Sequence, residues 1–246
     1  IARFHDGLPP IRDGFGRPEN YRHSVAADVR QMLEQGERLD PPTSRALAEA
    51  MPAALEAHIK ELEALGVKRP KSVPIFYRNA VQLLTTSGAI EAVGDKSSGE
   101  VEFVLYSLSD GMWVGLGSDH TDRKAETINV TLSKQMCAKP VGPALWRYDE
   151  VKPHWEKLVL RSFVSDGGTR RLYQEGPVSN MRSPEELIKL YTGGDKLPVG
   201  TAMFCGTFAV HGGFSYGGTF EMEMEDPILG RKLTHSYKTV SLPDEG

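Results

Sequence analysis

The chain has 246 residues, 39% of them hydrophobic and 25% charged, with a formal net charge of -4. That balance suits one large globular domain, or a domain with a smaller appendage, and argues against disorder throughout. Mild acidity without a run of Lys and Arg argues against nucleic acid or anionic membrane as partners, and no apolar segment reaches membrane-spanning length. The start "IARFHDGLPP" lacks a signal-peptide layout, and Cys137 and Cys205 are too far apart for a metal motif or a sign of an oxidising compartment, so a soluble, cytoplasmic protein is expected.

Residues 1–42 are rich in Gly, Pro and charge, with one helix expected around Ser24 to Gln35. A second helical stretch runs from Pro42 to Gly66, where Pro52 suits a first helical turn and Gly66 a C-terminal cap. Its apolar stripe is Leu55, Ile59, Leu62 and Leu65; His58 falls within that stripe and Glu61 on its border. Their i, i+3 spacing lets the carboxylate orient the imidazole, which is how a general base is built, and it equally suits a helix histidine with an incidental hydrogen bond. After "VKRPKSVP" the character changes. From about residue 74, short β-branched and aromatic runs alternate with Gly, Pro and Asp turns. The division expected is residues 1–66 as an N-terminal arm and helices, a lid or dimer region, and 67–246 as a β domain.

In "GEVEFVLYSLSDGMWVGLGSDHTDR", the Asp-Gly pair between two strand-like runs predicts a two-residue hairpin turn. With Asp110 and Gly111 as the loop, Glu102 falls opposite Asp119 and Glu100 opposite Thr121. Opposed like charges destabilise a sheet, so the acids need solvent, a shared proton or a cation. Three carboxylates with no cysteine beside them suit a hard divalent ion, Mg²⁺ or Mn²⁺, better than zinc. His120 is expected to point away from Asp119.

Further on, "SKQMCAKPVGP" offers Lys134 and Lys139, either of which would clamp an anion beside a metal-bound acid if it were not simply at the surface. "SPEELIKLY" predicts a helix capped by Ser183 with Glu186 as its capping-box partner. "LPVGTAMFCGTFAVHGGFSYGG" is glycine-dense and strand-like; the backbone of Gly206 and Thr207 is able to approach a ligand closely, and glycines of this kind also mark bulges and corners.

Taken in order across roughly residues 55–246, these segments resemble the fumarylacetoacetate hydrolase superfamily. "HIKELEALGVKRPKSVPIFYR" is similar to its entry segment, "GEVEFVL" to its Glu-x-Glu metal strand and "SDHTDR" to its Asn-Asp-x-Ser-x-Arg segment. "SKQMCAKPVGPALW" resembles its Lys-Ser-Phe stretch, and "LPVGTAMFCGT" its Pro-Gly…Thr-Gly-Thr strand. The resemblance implies a mainly β (α+β) fold, a β-sandwich or roll with an α-helical N-terminal extension, and a homodimer. It implies Glu100, Glu102 and Asp119 as metal ligands, His58 and Glu61 with Lys134 as catalytic groups, and Arg123, Thr207 and Lys139 as substrate contacts. The activity implied is metal-dependent C–C bond hydrolysis of a small carboxylate, a 2-oxo acid or acylpyruvate. Decarboxylation, hydration or dehydration on the same metal site, or a non-catalytic metal-binding relative, are the alternatives. Two departures stand out: only 16 residues separate Glu102 from Asp119, and Glu126 stands where the family commonly has glutamine.

Overall fold

The computed structural model describes residues 2–3, 21–25 and 74–245. In chain order its strands are β1 (Ala2–Arg3), β2 (Tyr21–Val25), β3 (Ile75–Tyr77), β4 (Leu84–Thr85), β5 (Ala89–Val93) and β6 (Ser97–Ser98). β7 (Val101–Leu108), β8 (Gly111–Ser118), β9 (Thr121–Asp122), β10 (Lys139–Arg147), β11 (Val159–Asp166) and β12 (Thr169–Pro177) follow. β13 (Thr201–Cys205), β14 (Gly218–Asp226) and β15 (Arg231–Leu242) complete the set. Four α-helices interrupt them among the described residues: α1 (Arg123–Glu126), α2 (Val130–Gln135), α3 (Tyr148–Val151) and α4 (Pro184–Thr192). The expected helix at Ser24 is corrected at its start, because Ser24 and Val25 lie in β2, whose backbone pairs in parallel with β13. The remainder of that helix, and the stretch from Pro42 to Gly66, fall outside the described residues.

Besides a two-stranded ribbon of β6 and β9, the described residues form two large sheets. One runs β1-β10-β8-β7-β13-β2-β3, with β4 pairing to β10; the other runs β12-β11-β14-β15-β5. β7 is central and buried on both faces. That is why "VEFVLYSL" is a nearly continuous apolar run and not an alternating one. Phe103 and Leu105 face the larger core, with Leu116, Leu160, Tyr173, Met222 and Met224. Val104 and Tyr106 face a smaller cluster with Val141, Leu145, Ala202 and Phe204. The period of two places Glu102 on that second face, in line with Val104. No described helix is long and apolar enough to cross a membrane.

The predicted hairpin forms with a different register. The turn is Ser109–Asp110, so Leu108 pairs with Gly111, Glu102 with Gly117 and Val101 with Ser118. Asp110 is held there from two sides: its carboxylate accepts from Trp113 Nε1 at 2.9 Å and its carbonyl from Arg147 Nη1 at 2.9 Å. Gly111 opens β8 at φ 131, a conformation that suits glycine. Each pairing moves by two places, so Glu100, not Glu102, lies opposite Asp119, whose N–H donates to the Glu100 carbonyl at 2.9 Å. A shift of two preserves the face on which every side chain lies, where a shift of one would reverse it. The acids stay together despite the altered register. The "SPEELIKLY" helix also forms, with Ser183 Oγ accepting from Glu186 N–H at 3.2 Å, but only half the capping box is made: the Glu186 carboxylate pairs with Arg182.

Candidate metal centre

Glu100, Glu102 and Asp119 converge at the end of the β7–β8 hairpin. One carboxylate oxygen from each lies within 4.8 Å of the others, and all three residues are fully buried. Local structure fixes each of them. The Glu100 N–H donates to Ser118 Oγ at 3.1 Å, and Ser118 Oγ is 2.8 Å from the Tyr237 hydroxyl on β15. Glu102 Oε2 accepts from the Gly206 N–H at 2.7 Å, where the chain leaves β13 at φ 96. Glu102 Oε1 has no hydrogen-bond partner among the described residues. Burial pushes the Glu102 carboxyl well above the usual range, and the neighbouring Asp119 and Glu100 charges push it further.

Three cations surround the acids. Asp122 caps α1 by accepting from Ala125 N–H at 2.7 Å, which sets Arg123 at the first helical position. From there Arg123 Nη1 reaches Glu100 Oε1 at 2.8 Å and Glu126 Oε2 at 2.9 Å, while Nε donates to Ser98 Oγ at 2.7 Å. Although burial opposes its charge, these carboxylates hold the Arg123 guanidinium above its ordinary pKa. Asn129 caps α2, whose buried face carries Lys134. Lys134 Nζ sits 2.5 Å from Asp119 Oδ2, 3.4 Å from Glu100 Oε2 and 3.3 Å from Thr121 Oγ1. Lys139 arrives from β10 and takes the other oxygen, Asp119 Oδ1, at 2.9 Å, together with the His120 carbonyl at 2.6 Å. The two candidate lysines therefore share one carboxylate. Burial pulls the Lys139 ammonium below the usual lysine range despite Asp119 beside it.

The remaining predicted residues take distinct places. His120 Nδ1 lies 2.9 Å from the Tyr237 hydroxyl, and burial lowers its pKa to about 3. The Thr207 hydroxyl donates to the Val101 carbonyl at 2.6 Å and accepts from Gln174 Nε2 at 2.7 Å, so in this structure it braces the Glu102 strand. His58 and Glu61 lie outside the described residues. A surface cleft of about 610 Å³ bordered by Tyr148, Lys152, Trp155 and Glu185 contains none of the described candidate residues.

Gln174 escaped the sequence reading. It is fully buried on β12, yet its Oε1 accepts from Val101 N–H at 3.0 Å and Ser162 Oγ at 2.9 Å, and its Nε2 also donates to the Phe208 carbonyl at 2.6 Å. Ser98, Ser118 and Tyr237 are similar cases. All are ordinary polar strand residues whose value lies in long-range pairing, and nothing local distinguishes them.

The donor set fits a hard divalent ion. Among the described residues it consists of carboxylate oxygens alone, one of them an unpartnered buried acceptor, and buried carboxylates this close need positive charge among them. Lys134 and Lys139 supply such charge in this structure.

The arrangement of the two large sheets is the fumarylacetoacetate hydrolase fold. Among solved structures of that fold, 2-keto-3-deoxy-D-arabinonate dehydratase complexed with magnesium and 2,5-dioxopentanoate is 17% identical, with a TM-score of 0.57 over 91% of this chain and 74% of that one. Cg1458 is 16% identical, with a TM-score of 0.56 over 70% of this chain and 72% of that one. The yeast protein ynq8, a fumarylacetoacetate hydrolase family protein, is 16% identical, with a TM-score of 0.53 over 69% of this chain and 86% of that one. The chain itself belongs to the family described as "Protein of unknown function (DUF2848)", whose model matches residues 48–237. No curated protein matches it.

Proposed function

We propose that this protein is a divalent-metal-dependent enzyme that acts on a small 2-oxo acid, with C–C bond hydrolysis as the preferred reaction. The observation that carries the reading is the buried trio Glu100, Glu102 and Asp119, with Glu102 Oε1 unpartnered among the described residues. Glu100, Glu102 and Asp119 would hold Mg²⁺ or Mn²⁺, which when bound supplies a Lewis acid that polarises the 2-oxo carbonyl and stabilises enolate charge. Arg123 and Lys134, both in contact with Glu100, stand where a substrate carboxylate would need countercharge. Lys139 keeps Asp119 in place from the opposite side. His58, oriented by Glu61, would take the proton of the attacking water. Dehydration is the second reading, because the magnesium-complexed structural neighbour of this fold is a dehydratase.

Glu102→Gln is the first test, since the amide oxygen is able to keep the Gly206 hydrogen bond while the charge is lost. Mn²⁺ titration followed by electron paramagnetic resonance should show binding in the wild type and none in Glu102→Gln. Equal affinity in the two proteins would overturn the ligand assignment. His58→Ala should bind Mn²⁺ normally and lose acylpyruvate cleavage; retained cleavage would overturn the role given to His58, and a wild type that dehydrates a 2-oxo sugar acid without cleaving acylpyruvates would favour the dehydratase reading. The raised Glu102 pKa adds a pH signature whose sign follows from the fold favouring the neutral carboxyl. That contribution to stability is complete below the ordinary carboxylate pKa and is lost as pH climbs through the raised value. Without metal, the wild type should therefore fall behind Glu102→Gln in melting temperature as pH rises, and added Mn²⁺ should close the gap.

A further inference from the structure

Arg123 has one donor group left over. Its Nε and Nη1 are engaged by Ser98, Glu100 and Glu126, whereas Nη2 is buried with no hydrogen-bond partner among the described residues. The side chain is only 5% exposed. A buried guanidinium N–H without an acceptor is costly and marks a place where an acceptor belongs. The ring stacked on this cation is Phe214, whose centroid is 4.5 Å from the guanidinium carbon, and Phe214 itself is 44% exposed. Thus one face of the ring lies on the buried charge while the residue meets solvent.

The segment that carries Phe214 is glycine-built on both sides. Gly212 and Gly213 precede it at φ 74 and 81, and Gly217 and Gly218 follow at φ 71 and 67, all in the region where glycine is at ease. The loop is tied down at points around Phe214. His211 N–H donates to the Tyr173 carbonyl at 2.7 Å, and Arg171 Nη1 donates to the His211 carbonyl at 2.7 Å. Tyr216 packs under Lys96, with the ammonium 5.2 Å from its ring. The Phe214 ring lies closer to the Arg123 guanidinium, at 4.5 Å, than to the Tyr216 ring, at 6.3 Å.

We infer that Phe214 is a positioning residue that roofs an anion seat at Arg123 Nη2, closing it in the unliganded protein and moving aside to admit one carboxylate group. This rests on the reading of the site as one for a small 2-oxo acid, and it names the residue that controls entry of the acid's carboxylate. A stacked aromatic suits the task. It shields the guanidinium from water through a contact worth little at a half-exposed position, and a carboxylate offering a charge-assisted hydrogen bond to Nη2 outbids it.

Labelling of the intact chain by phenylglyoxal, which condenses with accessible guanidinium groups, tests this without metal or turnover. Peptide mass spectrometry would follow Arg123 beside Arg147, which is stacked on Trp113 and 40% exposed. Arg123 should react at least tenfold faster in Phe214→Ala than in the wild type, at wild-type rate in Phe214→Tyr, and with Arg147 unchanged throughout. Millimolar oxalate should slow Arg123 labelling in Phe214→Ala and leave Arg147 alone. Equal Arg123 rates in wild type and Phe214→Ala, or a parallel rise at both arginines, would overturn the roof. Failure of oxalate to protect would overturn the anion seat. Neither result depends on Mn²⁺ binding, so loss of the roof and loss of the metal reading are separable outcomes.

Discussion

At the scale of single residues, the site is a balance of buried charges in which Lys134 holds a central place. Its ammonium touches two of the three acids and is fully buried. Removing one member of a buried ion cluster typically costs about 3–5 kcal/mol, because the partners keep their desolvation penalty and lose its compensation. Lys134→Met should therefore lower the stability of the metal-free protein by about that amount in urea denaturation. Asp119 would then lose its nearest cation and Glu100 one of two, so Mn²⁺ should raise the melting temperature of Lys134→Met more than that of the wild type. A smaller metal-induced shift in the variant would show that the lysine assists metal binding and does not substitute for it. Lys139→Met supplies the contrast, since that lysine contacts only Asp119 among the acids.

Elements matter through the hairpin. Gly117 lies opposite Glu102, and a Cβ placed there would come within 2.6 Å of both Phe204 Cε1 and Val104 Cγ2. Gly117→Ala should cost about 1–3 kcal/mol by overpacking. The side chains displaced are the neighbours of Glu102, so Mn²⁺ affinity should fall as well; an unchanged affinity would mean that the strands absorb the methyl elsewhere. The hairpin also shows what local sequence can and cannot convey. Asp-Gly flanked by apolar runs announced the turn, and the period of two grouped the acids on one face. The register escaped it, because Asp110 is held by Trp113 and by Arg147 on β10, 37 residues away. The mainly β character from residue 74 and the α4 helix were likewise legible from turn chemistry and capping. Gln174 and Tyr237 were not: their contacts to the site span 73 and 119 residues, and no motif encodes such distances.

For the molecule as a whole, the acids depend on both sheets. Gln174 on β12 and Tyr237 on β15 belong to one sheet, while the strands they support, β7 and β8, belong to the other. Gln174→Leu would leave the Val101 N–H, the Ser162 and Thr207 hydroxyls and the Phe208 carbonyl short of a partner, a loss of about 3 kcal/mol or more. It should also weaken Mn²⁺ binding, although Gln174 touches none of the three acids in the contacts seen here; normal affinity in a destabilised Gln174→Leu protein would confine its role to stability. On the outward side of the same sheet, Arg161 joins Glu175, Glu223 and Glu225 across three strands, an arrangement that ties β11, β12 and β14 together at the surface. Because the far sheet supplies the braces for the near sheet's carboxylates, the cluster has no autonomous existence. A proteolytic fragment ending before β11 would keep Glu100, Glu102 and Asp119 in its sequence and still be unable to gather them, so chelation and cooperative melting should disappear together.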